Sequence, residues 1–279
     1  MPSRDSILQS VARVSALIYS LCWLIGRFVY ICTMNLYVIG RKVPDRRGPY
    51  ILAVTHLSHL EPAIVSLVVH RRIDWVARTE CYCNRFTAWL LRMLGAIKVN
   101  RQGVPVSTIR TSLERLRQGR VVGIFPEGGV SRGKASMVNG GPLKYGVCLL
   151  ACRAQVPIIP VVVVGVHELM RVEPWLPFKQ AHVWLAFGKP IPPLDAGRTI
   201  VDRRAACRAL GDQLRAAMQA LHSELCERYK LGDRTGNTYA EASTASSPEH
   251  AISTPAALRV RAQSRESSAP FAHPSATPG

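Results

Sequence analysis

A histidine and a glutamate with four residues between them form the part of the chain best suited to catalysis. They are His56 and Glu61, in the stretch Thr55-His-Leu-Ser-His-Leu-Glu-Pro62. An imidazole changes its protonation near neutral pH, so it can take a proton from a hydroxyl group. A carboxylate beside it fixes its tautomer and stabilises the imidazolium. The pair therefore indicates a general base that activates a hydroxyl.

The sequence around this pair predicts the elements that hold it. Tyr50–Val54 is an apolar run entered through a Gly-Pro turn, which is typical of a buried strand, and it places His56 in the loop beyond the strand's carboxyl end. Pro62 suits the first turn of a helix, which makes Glu61 a cap or near-cap residue before a helix over Ala63–His70. The loop between can fold back and bring both side chains into one crevice. For this stretch alone, a helix cap beside an unrelated loop histidine is equally compatible.

A second stretch, Phe125-Pro-Glu-Gly-Gly-Val-Ser-Arg132, suits an anionic group. It follows an apolar strand over Val121–Phe125, and its glycines expose backbone N–H groups. Arg101 follows another short strand, Ile97–Val99, and Arg101 and Arg132 can each present a planar fork to a phosphate. Together the two stretches indicate a base that acts on a phosphate-bearing substrate.

Four blocks in this order resemble the 1-acyl-sn-glycerol-3-phosphate acyltransferase family. They are the His56 block, the Arg101 block, the Phe125 block and Val156-Pro-Ile-Ile-Pro160, and the resemblance runs from about residue 40 to about residue 193. The resemblance implies transfer of an acyl group from acyl-CoA or acyl-carrier protein to the free hydroxyl of a lysophospholipid, with 1-acyl-glycerol-3-phosphate giving phosphatidic acid. It implies no acyl-enzyme intermediate, no metal and no cofactor besides the thioester co-substrate.

The same resemblance assigns roles to six residues. His56 would be the general base and Glu61 its orienting carboxylate, while Arg101, Glu127, Gly128 and Arg132 would hold the glycerol phosphate. Because Glu127 is an anion, a hydroxyl contact or a structural bond to backbone suits it better than a phosphate does. The chain departs from the family pattern in two places: Glu61 replaces an aspartate, and Gly129-Val130 stands where the family has Thr-Arg.

The charge and the N-terminus predict a membrane-associated protein on the cytoplasmic face. The net charge is +18, and residues 232–279 carry four arginines against four acidic residues, so the excess belongs to residues 1–231. Such charge favours anionic lipid or an anionic substrate, and no nucleic-acid-binding signature accompanies it. Val14–Gly26 and Phe28–Gly40 are uncharged, and Arg27 separates them. Two interfacial helices or one re-entrant element are therefore expected, rather than a simple membrane span.

The expected fold is a single α/β domain over residues 41–231, with a largely parallel sheet flanked by helices and the site at the carboxyl ends of the strands. Further strands are expected over Ile73–Ala77, Ile158–Val164 and His182–Phe187, with a closing helix over Asp202–Lys230. Residues 1–40 would be a membrane-associated helical segment. Residues 232–279, rich in Ala, Ser, Thr and Pro, would be a disordered tail.

Two other functions stay open. Gly129-Val130-Ser131-Arg132-Gly133 matches the Gly-x-Ser-x-Gly nucleophile motif of serine esterases and lipases, although that motif requires a strand, a sharp turn and a helix in succession. The second alternative is a catalytically weak membrane-binding relative, motivated by the two departures from the family pattern. The eight cysteines show no metal or disulfide spacing, which favours reduced thiols.

Overall fold

A seven-stranded sheet forms the centre of the protein. The computed structural model describes residues 4–82, 84–99, 106–131, 133–166, 181–195 and 199–231. The strands are β1 (Met34–Ile39), β2 (Tyr50–Val54), β3 (Ile73–Arg78), β4 (Ile97–Val99), β5 (Val121–Ile124), β6 (Ile158–Val164) and β7 (Ala181–Phe187). Their order is β1-β7-β6-β2-β5-β3-β4, and among these described pairings β6–β7 is antiparallel while the others are parallel. The predicted α/β fold with a largely parallel sheet is confirmed.

Helices cover both faces of the sheet. They are α1 (Arg4–Thr33), α2 (Glu61–Val68), α3 (Arg85–Met93), α4 (Val106–Arg117), α5 (Gly146–Ala154) and α6 (Ile200–Tyr229). Strands β2 and β6 are buried at every residue, because both of their faces are covered, and they therefore appear in the sequence as continuous apolar runs. The side chains of α5 and α6 pack in one core cluster and those of α2 in a second cluster on the other face.

The predicted strands are found within one residue at each end. The helix predicted over Ala63–His70 is shifted, since α2 runs from Glu61 to Val68, so Glu61 is its first residue and Leu60 is the N-cap. Pro62 lies in the first turn, as expected from its missing N–H. The predicted closing helix is α6, whose Thr199 cap accepts a bond from the N–H of Asp202 at 3.0 Å.

Of the two forms expected for the N-terminal apolar segments, two helices divided by Arg27 are wrong, and one tilted, re-entrant element stays a prediction. One helix runs continuously from Arg4 to Thr33, and the following residues, Met34–Ile39, form β1 and pair with β7. The predicted boundary after residue 40 therefore lies beyond the first strand of the sheet. The apolar run after Arg27 had two causes that composition does not separate: the end of an exposed helix and a strand at the sheet edge.

Helix α1 docks on the domain through one face. The buried Ser15 hydroxyl donates to Met93 O at 2.6 Å, and the guanidinium of Arg72 donates to both Ser15 Oγ and Met93 O at 2.8 Å. The Trp23 indole donates to Ser66 O of α2 at 3.1 Å. None of the helices in the described part of the chain is long and apolar enough to cross a membrane. The predicted tail lies outside the described residues.

Candidate active site

The two residues of the predicted catalytic pair meet in the structure. His56 follows β2 directly, and Glu61 opens α2, so the loop between them turns back on itself. The His56 Nδ1 atom lies 3.3 Å from Oε2 of Glu61, with the histidine side chain 12% exposed and the glutamate fully buried. Because Nδ1 faces the carboxylate, the neutral ring carries its proton there and Nε2 is left to accept a proton from a substrate.

The second oxygen of Glu61 holds the loop. Oε1 accepts the backbone N–H of Leu57 at 3.1 Å and that of Ser58 at 2.6 Å, while Ser58 Oγ accepts the N–H of Leu60 at 3.0 Å. The longer side chain therefore spans from the first residue of a helix back across the loop. The replacement of the family's aspartate by glutamate leaves the contact with His56 in place.

Glu127 ties the second loop to the first. Oε1 accepts from the Ser136 hydroxyl at 2.8 Å and from Met137 N–H at 2.9 Å, and Oε2 accepts the backbone N–H of His56 at 3.3 Å. Burial raises the pKa of Glu127, and these donors oppose that shift. A further bond runs from Ser131 N to His56 O at 2.8 Å. Both carboxylate oxygens of Glu127 thus accept hydrogen bonds from the protein itself, as expected for an anion. A contact between Glu127 and the substrate stays a prediction.

A cavity of about 1210 Å³ opens beside the pair. His56 and Gly128 line it, together with apolar and aromatic side chains that include Trp23, Trp75, Phe125 and Leu150. This volume exceeds the roughly 300–1,000 Å³ of typical small-ligand pockets. An apolar cavity of this size next to a general base suits a substrate with a long hydrocarbon chain.

Two cations at the cavity were missed in the sequence. Arg78 closes β3 and pairs with Glu80 at 3.0 Å, and its side chain is 42% exposed. Lys144 lies against the turn at Gly128, where φ is +72° and an added Cβ would come within 2.9 Å of the lysine Nζ. Arg78 stands at the carboxyl end of a parallel strand, a position where ligands of α/β sheets bind, so this signal was present in the sequence. Lys144 carried no such signal, because a single exposed lysine is common.

The structure brings together four of the six predicted residues: His56, Glu61, Glu127 and Gly128. Arg101 and Arg132 lie outside the described residues. His59 also lines the cavity, and its ring meets that of His56 edge-on with 6.0 Å between the centroids.

The described geometry does not support a serine nucleophile at Ser131. Its hydroxyl donates to Gly129 O at 3.2 Å, and no imidazole of the described residues accepts from it. After β5 the chain turns through a loop into a 3₁₀ helix over Gly133–Ala135, whereas a nucleophile elbow requires an α-helix directly after the turn.

Six cysteines in the described part of the chain have free thiols: Cys22, Cys32, Cys148, Cys152, Cys207 and Cys226. Within that same part, no group of three or more His, Cys, Asp or Glu residues could hold a metal ion.

Residues 35–164, which span the strands and loops of this site, match the family model described as Acyltransferase. The match covers 130 of the chain's 279 residues, and over these residues the chain is similar to that family. The chain is 24% identical over 177 residues to a 1-acyl-sn-glycerol-3-phosphate acyltransferase of Bacillus subtilis, covering 63% of this chain and 82% of that protein. It is 28% identical over 152 residues to a protein of the same name from Streptococcus pneumoniae, covering 54% of this chain and 53% of that one. The resemblance inferred from the sequence blocks and the predicted enzyme class, an acyltransferase, are confirmed.

A solved structure is similar to this chain as well. It is the 1-acyl-sn-glycerophosphate acyltransferase PlsC of Thermotoga maritima, with a TM-score of 0.49 and 17% sequence identity, covering 79% of this chain and 84% of that one.

Proposed function

We propose that the protein transfers an acyl group from a thioester donor to the free hydroxyl of a lysophospholipid, with 1-acyl-glycerol-3-phosphate as acceptor and phosphatidic acid as product. The observation that carries this proposal is the contact between Glu61 and His56, which lines a large apolar cavity. The names of the relatives support the same acceptor. The donor is acyl-CoA or acyl-carrier protein, which acts as a co-substrate, and the reaction needs no resident cofactor.

In the proposed reaction, His56 Nε2 takes the proton of the acceptor hydroxyl as its oxygen attacks the thioester carbonyl carbon. Glu61 holds the ring by Nδ1 and stabilises the imidazolium that forms. The tetrahedral intermediate then collapses, the C–S bond breaks, and the imidazolium returns the proton to the departing thiolate sulfur. The products are an ester and a free thiol, and no acyl group is attached to the protein.

The acceptor's phosphate is proposed to bind where Arg78 and Lys144 meet the cavity. The Lys144 side chain lies against the backbone of the turn at Gly128, where an added Cβ would come within 2.7 Å of it. By the resemblance, Arg101 and Arg132 join this site. Arg78 and Lys144 can contact a phosphate although the family's Thr-Arg is missing from this chain.

Membrane association is proposed to occur through α1. Its outward face presents a stripe of apolar side chains at helical spacing, each between 47% and 70% exposed: Val14, Leu17, Leu21, Leu24, Ile25, Phe28 and Val29. A helix with one docked face and one exposed apolar face is suited to lie in the membrane interface rather than cross it. The basic domain behind it favours an anionic leaflet, which on this proposal is the cytoplasmic one.

The experiment that tests the proposal is acyl transfer by the purified protein with a panel of lysolipids. Radiolabelled acyl-CoA and acyl-carrier protein are each supplied with lysophosphatidate, lysophosphatidylcholine, lysophosphatidylethanolamine or glycerol 3-phosphate. Labelled phosphatidic acid as the main product supports the proposal. A different labelled phospholipid as the main product would identify a different lysolipid as the acceptor. Release of free fatty acid without transfer would favour a hydrolase instead.

A further inference from the structure

Two aromatic rings, those of Phe125 and Trp75, connect the proposed catalytic histidine to strand β3. The imidazole of His56 stacks on the ring of Phe125, with 4.0 Å between the centroids and 23° between the planes. Phe125 in turn stacks on Trp75 of β3, at 5.2 Å and 16°. Phe125 therefore touches both rings, and its own orientation depends on the indole.

The indole of Trp75 is fixed at two points. Its Nε1 donates to Ser66 Oγ of α2 at 2.9 Å, and the carbonyl of the same serine accepts the indole N–H of Trp23 from α1. Across the sheet, Trp75 faces Gly123 of β5, where an added Cβ would lie 2.5 Å from the indole. The strand thus needs a glycine at this position for the indole to lie flat against it.

We propose that Trp75 is a positioning residue, which holds the plane of the His56 imidazole through Phe125 and so directs Nε2 at the acceptor hydroxyl. The bond from Nδ1 to Glu61 is 3.3 Å long and fixes one atom of the ring. Rotation of an imidazole about its last side-chain torsion is otherwise broad, so a second constraint is required to set the plane. The role assigned to Trp75 rests on the proposed function of His56 as the base.

Trp75→Leu and Trp75→Phe separate this role from simple filling of the cavity. The leucine variant loses the flat surface under Phe125, and we expect its kcat to fall by about 10- to 100-fold, since an error of 1 Å in placement can cost that much. Because Trp75 also lines the cavity, the KM for lysophosphatidate reports its contact with the acyl chain, whereas the fall in kcat reports its effect on the base. The phenylalanine variant keeps a ring in the stack and should recover most of kcat. Trp89→Leu, at an exposed tryptophan of α3 that does not line the cavity, is the matched control and should leave kcat unchanged.

A second measurement does not require activity. Carbethoxylation by diethyl pyrocarbonate, read by peptide mass spectrometry, reports how freely each histidine ring is reached. His56 should react several-fold faster in Trp75→Leu than in wild type, relative to His70, whose side chain is 54% exposed and contacts Asp45. The half-buried His222 of α6 should keep its rate if the fold is intact.

The outcomes are distinct. Lower kcat together with faster carbethoxylation of His56 supports the inference, even if the natural acceptor proves to be another lysolipid. Lower kcat with unchanged His56 reactivity overturns it, because Trp75 would then only line the cavity. Unchanged values of both also overturn it. If the wild type transfers no acyl group at all, the proposed function fails, while the carbethoxylation rates still decide whether Trp75 holds the ring.

Gly123 supplies an independent test by a double-mutant cycle. Gly123→Ala alone should displace the indole and lower kcat, since its new methyl group meets the six-membered ring of Trp75. In the Trp75→Leu background the same substitution should cost much less, because the collision is gone. Additive losses would contradict a route through Trp75.

Discussion

Replacement of Glu61 by glutamine exchanges one carboxylate oxygen for an NH₂ group, and we expect this small change to abolish most of the acyl transfer. In the wild type, Oε1 accepts two backbone N–H groups and Oε2 faces His56 Nδ1. A glutamine that keeps both backbone bonds must point its NH₂ group at Nδ1. That atom then has to accept a bond, so the ring's proton moves to Nε2, where the base needs a lone pair. We expect kcat to fall on the order of 10²- to 10⁴-fold, in the range for loss of a general base through the wrong tautomer.

Stability separates this chemical effect from damage to the loop. Glu61→Gln should unfold at nearly the wild-type urea concentration, because both backbone bonds of Oε1 survive. Glu61→Ala strands two N–H groups, at about 1 to 3 kcal/mol for each buried group left unsatisfied. Glu61→Asp keeps the charge and should retain a measurable fraction of activity. Because its side chain is one methylene shorter, we expect its hydrogen bonds to the N–H groups of Leu57 and Ser58 to weaken.

The assay measures phosphatidic acid formed from radiolabelled acyl-CoA in mixed micelles, with each variant's fold checked by circular dichroism. Activity of Glu61→Gln equal to that of the wild type would refute the reasoning, since the carboxylate would then serve only the loop. Equal instability of the glutamine and alanine variants would show that the assignment of the two oxygens is wrong.

Three further predictions concern stability, pH and the membrane. Arg120→Ala should lower the free energy of unfolding by about 2 to 4 kcal/mol in urea titrations, because the fully buried Asp74 of β3 loses its nearest partner. Arg117→Ala removes an exposed ion pair and should lower it by less than about 1 kcal/mol. Equal losses for the two variants would contradict this prediction. Because burial raises the pKa of Glu127 above 4.5, the folded chain keeps a proton that the unfolded chain loses, so stability should fall as pH rises from 4.5 through the folded pKa. Glu127→Gln should show a shallower fall across that window, and an unchanged slope would exclude this residue as its source. The double variant Leu17→Glu with Phe28→Glu changes two side chains that are each 70% exposed, and it should weaken binding to anionic phospholipid vesicles about 100-fold or more. Acyl transfer to a soluble short-chain acceptor should fall less. Unchanged vesicle binding would exclude the apolar stripe of α1 as the membrane-binding surface.

The sequence predicted the central strands well because burial on both faces leaves continuous apolar runs, as in β2 and β6. It missed β1, whose partner β7 lies almost 150 residues away and leaves no local signal. The apolar stretch that contains β1 follows an exposed apolar helix directly, so hydropathy alone joined the two.

The contact between His56 and Glu61 was predictable because both residues lie close in the chain, one directly after a strand and the other at the start of a helix. The contacts that hold His56 from other parts of the chain could not be predicted. Glu127 reaches His56 from 71 residues away, and Trp75 reaches it only through Phe125. These contacts depend on the order in which strands assemble, with β5 next to both β2 and β3, and that order is not written in any single stretch.

The central claim is that His56 catalyses direct transfer without an acyl-enzyme. The decisive measurement compares wild type, His56→Ala and Ser131→Ala with radiolabelled acyl-CoA and lysophosphatidate, followed by a rapid denaturing quench and counting of label in lipid and in protein. We predict labelled phosphatidic acid from the wild type and from Ser131→Ala, almost none from folded His56→Ala, and no label retained on protein in any of them. Substantial transfer by folded His56→Ala, or label trapped on Ser131, would contradict the account.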